Sequence, residues 1–183
     1  MEPREVESVR KLSKAMSSLT LTPASFDRER HLPLLLEADD VEEHIHGYLD
    51  RGQLFEIRDA DALIGVAVLV ADADTVEIWN IALPEEQRGR GSGRRAIELI
   101  AGRCREQGAS RLTVGTSDCS LGTMAFYRKV GFRFAGVRKG YFDDYPVLVV
   151  ENGIRARDMV MFEMDLGSHQ GELRSELGTL GNH

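Results

Sequence analysis

A glycine-rich stretch, Arg88-Gly89-Arg90-Gly91-Ser92-Gly93, decides the fold because it joins a strand pattern to a helix pattern. The strand pattern covers residues 75–83, and the helix pattern covers residues 91–107. The inward face of this helix is predicted to consist of Ala96, Ile97, Ile100 and Ala101. Unpaired N–H groups and the helix dipole favour an anion at a helix start, and glycine lets a ligand approach the backbone closely. We therefore expect a diphosphate to bind at this loop.

Four cationic side chains accompany these glycines in a chain that is acidic overall, namely Arg88, Arg90, Arg94 and Arg95. A docked anion would explain that cluster, but three alternatives stay open. The first is an arginine-glycine segment for nucleic acid, although such segments belong to disordered stretches. The second is a dinucleotide fingerprint, Gly91-x-Gly93-x-x-Ala96, although no acidic residue ends the next strand about 20 residues further on. The third is a plain glycine-rich turn with solvated arginines.

The composition is that of a single globular domain. The chain has 183 residues, with 42% hydrophobic and 29% charged residues, and it lacks the apolar run of a membrane span. Its formal net charge of −7 repels nucleic acid and mildly attracts a cationic partner. Only Cys104 and Cys119 are cysteines, and the N-terminus has no signal-peptide pattern, so we expect a cytoplasmic protein. Neither a nucleic acid nor a membrane is an expected partner.

Hydrophobic periodicity divides the chain into three parts. Residues 1–18 are predicted to form an amphipathic helix, residues 19–166 the folded domain, and residues 167–183 a flexible tail. Strands are predicted at 19–22, 54–58, 63–71, 75–83, 111–115, 132–137 and 159–166. Helices are predicted at 27–37, 40–50, 91–107 and 120–130, the second with Asp39 or Asp40 as its N-cap. This order indicates a mixed α/β fold with a central parallel crossover.

Two motifs resemble those of one enzyme family. Arg88-x-x-Gly91-x-Gly93 resembles the CoA signature of the GNAT superfamily of N-acetyltransferases. The second motif of that superfamily is similar to Phe126-Tyr127-Arg128-Lys129-Val130-Gly131-Phe132, which follows after a further strand. The resemblance covers roughly residues 19 to 166, and residues 141–159 are similar to a bacterial subgroup of unsettled substrate.

The resemblance implies a GNAT acyl-CoA N-acyltransferase fold, with a twisted mixed sheet and helices on both faces. The strands at 75–83 and 111–115 are expected to splay apart and admit the pantetheine arm of acetyl-CoA. The implied reaction is direct transfer of an acetyl group to a primary amine of a small molecule or peptide, without a metal. The implied CoA ligands are Ile81, Ala82, Leu83, Arg88, Gly89, Arg90, Gly91, Ser92, Gly93, Arg94, Ser120 and Lys129.

The helix of the second motif departs from the family pattern. Many members carry Asn and Ala where this chain has Ser120 and Thr123. Ser120 or Asp118 is still expected to cap the helix.

Two residues are candidates for proton transfer. Tyr127 resembles the family tyrosine that protonates the departing thiolate, and its alternative role is a core aromatic. Glu77 lies where several family members have a general base, and its alternative role is a solvated or salt-bridged strand residue, with water relaying the proton. Trp79 and Asn80 could line the acceptor side, although Trp79 could equally belong to the core. An acyl-cysteine at Cys119 is not favoured because no histidine stands near it in the sequence.

The acceptor side is expected between the N-terminal helices and the loop that joins the last two strands. These segments are acidic, with Glu37, Asp39, Asp40, Glu42, Glu43, Asp143, Asp144 and Glu151. Their negative potential would attract an ammonium group, or they are ordinary solvated faces. Three histidines in the helices, His31, His44 and His46, do not form a metal-binding pattern. The alternative to an enzyme is a CoA-binding regulatory module without catalysis, and a homodimer is left open.

Overall fold

A computed structural model describes residues 19–24 and 27–167 of the chain. The amphipathic helix predicted for residues 1–18 lies outside the described residues, and so does the predicted tail apart from Gly167.

The described residues contain nine strands and four α-helices. The strands are β1 (Leu19–Pro23), β2 (Gln53–Asp59), β3 (Ala62–Asp72), β4 (Thr75–Ala82), β5 (Arg111–Ser117), β6 (Arg133–Arg138), β7 (Val150–Glu151), β8 (Ile154–Arg155) and β9 (Met159–Asp165). The helices are α1 (Leu32–Leu35), α2 (Glu42–Leu49), α3 (Ser92–Glu106) and α4 (Leu121–Val130), and 3₁₀ turns occupy Arg28–His31 and Glu85–Gln87.

Seven strands form one sheet in the order β1-β2-β3-β4-β5-β9-β6, and β7 pairs with β8 in a separate hairpin. Every pair in the large sheet is antiparallel except β4 with β5, which α3 connects as a parallel crossover. The predicted mixed α/β fold with a central parallel crossover is confirmed.

Helices cover both faces of the sheet. Phe55 packs in a buried cluster with Ile97 of α3, whereas Leu54 packs in a second cluster with Leu35 of α1 and Ile45 of α2. Consecutive side chains of a strand point to opposite faces, so α1 and α2 lie on one face and α3 lies on the other. Helix α4 joins the first cluster through Tyr127. The predicted inward face of α3 is buried throughout, at Ala96, Ile97, Ile100 and Ala101.

A β-bulge in β4 changes the face on which its side chains lie. Val68 of β3 pairs with Asn80 and Leu69 pairs with Ile78, so Trp79 is the extra residue. Ile78 packs in the cluster beneath α3, whereas the buried Asn80 side chain reaches α1 and α2 on the opposite face. The bulge therefore brings a polar side chain under the N-terminal helices.

The helix predicted at 27–37 is wrong in both type and length. The chain forms a 3₁₀ turn at Arg28–His31 and a single α-helical turn at Leu32–Leu35. Asp27 has a positive φ of 48°, which an α-helix cannot include. Pro33 lacks the N–H group that a helix running through this position from residue 27 would need.

The helix predicted at 40–50 begins later, at Glu42, and the prediction of an aspartate N-cap is wrong. Val41 occupies the N-cap position in an extended conformation, and Asp39 Oδ1 accepts a hydrogen bond from the Val41 N–H over 3.1 Å. Asp39 thus stabilises the segment that precedes the helix and does not bond to an N–H group of its first turn.

Candidate active site

Strands β4 and β5 diverge in the middle of the sheet. Their parallel pairing runs from Thr75 opposite Arg111 to Ile78 opposite Val114, and it ends there. Beyond this point β4 pairs only with β3, and β5 pairs only with β9. The predicted splay between the two strands is therefore present in the structure.

The divergence leaves one edge of β4 without a strand partner. Ile81 and Ala82 pair with β3 on their other side, and Leu83 follows the strand directly. Backbone N–H and C=O groups along such an edge are strong partners for an extended polar ligand. These three residues lie where the pantetheine arm is expected, and their contact with CoA stays a prediction.

The glycine-rich loop leads directly into α3. Gly89 and Gly91 have φ values of 71° and 85°, which glycine adopts without strain. Gly91 is the N-cap of α3, and no side chain caps the helix. A Cβ atom placed on either glycine would meet nothing within 4 Å. The loop thus presents an open backbone surface at a helix start, which is what an anion needs.

Gly93 brings the two predicted motifs into contact. A Cβ atom on Gly93 would lie 3.2 Å from Cζ of Phe126, which is closer than ordinary packing allows. Arg94 joins the same helices, because its Nη2 donates to the carbonyl of Lys129 over 2.7 Å. The Lys129 side chain itself is exposed. The start of α3 is therefore held against the end of α4, the helix that carries Tyr127.

The arginines of the loop differ in their surroundings. Arg88 donates from Nε to the carbonyl of Leu83 over 2.9 Å and from Nη2 to Glu37 over 3.0 Å. Arg90 is exposed and has no hydrogen bond or ion pair with another described residue. Ser92 lies in the first turn of α3. Arg88 thus fixes the loop to the strand end and α1 segment, whereas Arg90 is available to an anion.

Ser120 occupies the N-cap position of α4 but does not cap it. Its hydroxyl lies 2.7 Å from the Ser117 hydroxyl and donates to Glu151 over 2.5 Å. Asp118 accepts from the Arg157 N–H over 3.0 Å. The prediction that one of them caps the helix is wrong, because both fasten the segment around β7 and β8 to the helix start. A role for Ser120 in CoA binding stays a prediction.

Tyr127 is almost fully buried, with 5% of its surface exposed. Its ring lies 5.4, 5.5 and 5.7 Å from the ring centroids of Phe126, Phe132 and Phe162. The hydroxyl has no hydrogen bond with another described residue, and burial raises its pKa above the ordinary value. The hydroxyl is free to donate a proton because it has no partner among the described residues, but its raised pKa makes it a weaker acid than an exposed tyrosine. Its packing equally fits a core aromatic, so its catalytic role stays a prediction.

Glu77 is half-buried on β4, just before the bulge. Its side chain lies on the face opposite Ile78, which is the face that Asn80 occupies beyond the bulge. Nη2 of Arg138 donates to Oε2 of Glu77 over 2.9 Å. The salt bridge that the sequence offered as an alternative is therefore present. The role of general base stays a prediction.

A polar network links β4, α2 and the loop before β7. Asn80 Nδ2 donates to the carbonyl of Leu35 over 3.0 Å and to the hydroxyl of Tyr48 over 2.8 Å. The Tyr145 hydroxyl donates to Asp39 Oδ1 over 2.8 Å. Burial is the largest cause that raises the pKa of both tyrosines, and Asp39 raises them further through its charge and through a hydrogen bond with each hydroxyl. Sequence analysis named Asn80 and Asp39 separately but missed both tyrosines.

The one available signal for this network was the density of aromatic residues in a polar loop, at Tyr141, Phe142 and Tyr145. The acidic residues Asp143 and Asp144 of the same loop are exposed. Their effect on a cationic acceptor stays a prediction.

Two other sites that the sequence raised can be placed. Cys119 is fully buried, with its Sγ 3.3 Å from the Ser117 hydroxyl, so it cannot reach an acyl donor at the surface. Within residues 19–24 and 27–167, no three His, Cys, Asp or Glu side chains are grouped to hold a metal ion. No helix in that part of the chain has the length and apolar character needed to cross a bilayer.

Comparison with known proteins connects this geometry to a family. Residues 15–132 match the model of the Acetyltransferase (GNAT) family. The "Uncharacterized N-acetyltransferase YvbK" of Bacillus subtilis (strain 168) is 35% identical over 135 residues, which is 73% of this chain and 87% of the relative.

Solved structures agree with the sequence comparison. A GNAT family acetyltransferase from Elizabethkingia anophelis with acetyl-CoA bound has a TM-score of 0.76 and 34% identity, covering 80% of this chain and 97% of its own. A Bacillus subtilis acetyltransferase in complex with CoA has a TM-score of 0.74 and 31% identity, covering 81% of this chain and 99% of its own.

Proposed function

The chain belongs to the acetyltransferase (GNAT) family, and we propose that it is an N-acetyltransferase that moves the acetyl group of acetyl-CoA directly onto a primary amine. The acceptor is an amine of a small molecule or a peptide. The divergence of β4 and β5 is the observation that carries the proposal, because it opens a backbone edge directly ahead of the glycine-rich loop. Two solved relatives more than 30% identical to this chain have acetyl-CoA or CoA bound.

Different residues of the cleft would bind different parts of acetyl-CoA. The backbone of Ile81, Ala82 and Leu83 would bind the pantetheine arm, which carries amide groups that pair with a strand edge. The loop from Arg88 to Arg94 would bind the diphosphate, since its open glycines precede an uncapped helix start. Ser120 and Lys129 would contact the same molecule from α4.

Direct transfer requires that the amine nitrogen bonds to the thioester carbon while the bond from that carbon to sulfur breaks. Tyr127 would give its hydroxyl proton to the departing sulfur, because this hydroxyl has no hydrogen-bond partner among the described residues and is free to donate. Glu77 would accept the proton that the amine loses, directly or through water. Both roles place the reacting atoms near the point where β4 and β5 separate.

A regulatory module that binds CoA without catalysis is the second candidate. It would keep the glycine-rich loop but would need neither Tyr127 nor Glu77. The presence of both residues beside the cleft favours the enzyme. Cys104 and Cys119 are free and buried, which supports our further proposal that the protein works in the reducing cytoplasm.

The deciding experiment combines the protein with acetyl-CoA and a panel of primary amines. Free thiol would be followed continuously, and the acetylated amine would be identified by mass. We expect thiol release to depend on the amine and to match the product in amount. Tight CoA binding without amine-dependent thiol release would support the regulatory module instead.

A further inference from the structure

We propose that the carboxylate of Asp39 binds a second, non-reacting ammonium group of the acceptor, in a pocket that it shares with Tyr48, Tyr141 and Tyr145. The acceptor is then a diamine, or a larger amine with two cationic nitrogens. This inference rests on the proposed function, whose acceptor it specifies.

Two carboxylates lie near the polar network, and in the described part of the chain one of them has a cationic partner and the other has none. Glu77 is paired with Arg138 over 2.9 Å. Asp39 accepts hydrogen bonds from the Tyr145 hydroxyl and the Val41 N–H, which are both neutral donors, and no cationic side chain of the described residues forms an ion pair with it. The Tyr48 hydroxyl forms a further hydrogen bond with Asp39, and a carboxylate has about four acceptor positions, so one of them stays open to a donor. Within residues 19–24 and 27–167, no cationic side chain therefore balances the charge of Asp39.

Three tyrosines surround this carboxylate with neutral, electron-rich surfaces. Burial is the main cause that raises the pKa of Tyr48, Tyr141 and Tyr145, and the charge of Asp39 is a further cause for each. A tyrosine is protonated at neutral pH even at its ordinary pKa, so all three side chains are neutral there. Their ring faces and hydroxyl oxygens attract a cation. The pocket combines one negative charge with aromatic walls, which suits an ammonium group on an alkyl chain.

The side chain of Asn80 gives independent evidence that the polar network lacks a hydrogen-bond donor. The side chain is 4% exposed, and its Nδ2 bonds to the Leu35 carbonyl and the Tyr48 hydroxyl. Its Oδ1 is buried without a hydrogen-bond partner among the described residues. Buried acceptors without a donor are rare in folded proteins. An ammonium group has three donors and no acceptor, so it matches what the network lacks.

The uncompensated charge assigns Asp39 to a nitrogen that does not react. An amine must be neutral when it attacks a thioester, and an unpaired carboxylate beside it would stabilise the ammonium form. Glu77 has its charge balanced by Arg138 and lies on β4 at the divergence, so it belongs to the reacting side. Asp39 thus holds the distal end of the acceptor.

The test compares linear diamines with amino alcohols of the same chain length, in which a hydroxyl replaces the second amine. We expect wild-type kcat/KM to favour the best diamine over its amino alcohol by about 10- to 100-fold. Asp39→Asn should remove that preference and leave kcat/KM for the amino alcohol within about twofold. Asparagine is nearly isosteric with aspartate and can still accept the hydrogen bonds of Tyr145 and Val41 on Oδ1, so we expect the variant to fold, and its Tm without ligand checks this.

Asp40→Asn is the matched control, because it removes the same charge from the next residue, which is exposed. It should change the diamine preference by less than about threefold, through long-range attraction alone. If Asp39→Asn and Asp40→Asn reduce the preference for the diamine equally, the proposal is overturned, because the long-range negative potential of the acidic segment would then explain the preference. Equal kcat/KM for diamine and amino alcohol in the wild type would also overturn it, while leaving the proposed enzyme intact.

Thermal unfolding separates this inference from the proposed function. We expect the same diamine to raise the Tm of the wild type and of Asp40→Asn, but not that of Asp39→Asn. A Tm rise that depends on Asp39, without any thiol release, would support the pocket and contradict the enzyme. A Tm rise that persists in Asp39→Asn would overturn the pocket.

Discussion

Arg138 at the end of β6 donates a hydrogen bond to Glu77 on β4 over 2.9 Å, although β5 and β9 lie between their strands in the sheet. The guanidinium therefore reaches across the sheet face at the point where β4 and β5 separate. This contact positions the carboxylate and balances its charge.

We predict that Glu77→Gln lowers kcat by about 10- to 100-fold and flattens the acidic limb of the pH–rate profile, because an amide cannot accept the amine proton. Glu163→Gln serves as the control, since Glu163 also lies on a strand of the sheet and faces an arginine, Arg111, over 3.8 Å. Steady-state rates of the wild type and of both variants, measured from about pH 5 to about pH 9, would show the difference between their pH–rate profiles. An unchanged profile would assign the deprotonation to water.

Gly91→Glu is predicted to abolish acetyl-CoA binding, because it puts a side chain and a negative charge on the open surface ahead of α3. Gly108→Glu is a close control at the other end of the same helix. Gly108 has the same φ of 85° and equally open surroundings, so backbone strain and charge change are matched. Calorimetry should find no binding to the first variant and ordinary binding to the second. Equal affinities would exclude the loop as the diphosphate site.

Tyr127→Phe is predicted to keep acetyl-CoA binding and to lower turnover about 10- to 1,000-fold, since only the donor hydroxyl is lost. The ring packing with Phe126, Phe132 and Phe162 is retained. Removing a hydroxyl that has no partner among the described residues should leave the Tm unchanged or slightly higher. Turnover equal to wild type would make Tyr127 a core residue alone.

The free energy of unfolding should fall as the pH drops below about 6.5, because of His31. Burial lowers the pKa of His31 and outweighs Glu56, which raises it. On acidification the histidine binds a proton more readily in the unfolded chain than in the folded chain. The contribution of His31 to the free energy of unfolding is therefore fully present above the unfolded pKa and is lost as the pH falls below it. The slope for one such proton approaches about 1.4 kcal/mol per pH unit.

Urea unfolding of wild type and His31→Gln between pH 8 and 5, about one to two units on either side of the unfolded pKa, would measure this slope. The variant should lose the slope even if it is less stable throughout. His46→Gln, which changes an exposed histidine, should keep it. A second loss is expected below pH 4.5 from Glu56, where burial raises the pKa but the hydrogen bonds from Arg58 and Arg30 lower it overall. A wild-type slope shared by His31→Gln would contradict the assignment.

The elements that the sequence predicted well are those with a strong local pattern. The inward face of α3 repeats at helical spacing, and Asp-Ala-Asp turns bound β2, β3 and β4. The hairpin of β7 and β8 was not predicted, although Asn152 and Gly153 form its turn with φ values of 55° and 74°. Asn-Gly is a strong hairpin signal, but strands of two exposed residues offer no alternation to support it.

The sequence predicted the diphosphate side of the candidate site but not the arrangement of its acceptor side. The diphosphate loop is one contiguous segment, so its chemistry can be recognised from residue order. The acceptor side depends on Tyr145 meeting Asp39, which are 106 residues apart, and on a bulge that turns Asn80 toward α2. A bulge depends on the register between two strands, and register is a property of the assembled sheet.

The short parallel pairing between β4 and β5 also affects how the amide hydrogens of the sheet exchange with solvent. Among the described strands, the backbone pairing between the halves β1 to β4 and β5, β9 and β6 is limited to Thr75–Ile78 with Arg111–Val114. Each half has its own continuous ladder, and although both contribute to the cluster beneath α3, we expect them to exchange amide hydrogens with solvent as separate cooperative units when the cleft is empty. A molecule bound across the gap would bridge both units and make them exchange together. Deuterium labelling would then detect occupancy of the cleft at amides on β2 and β9, far from any contact with the ligand.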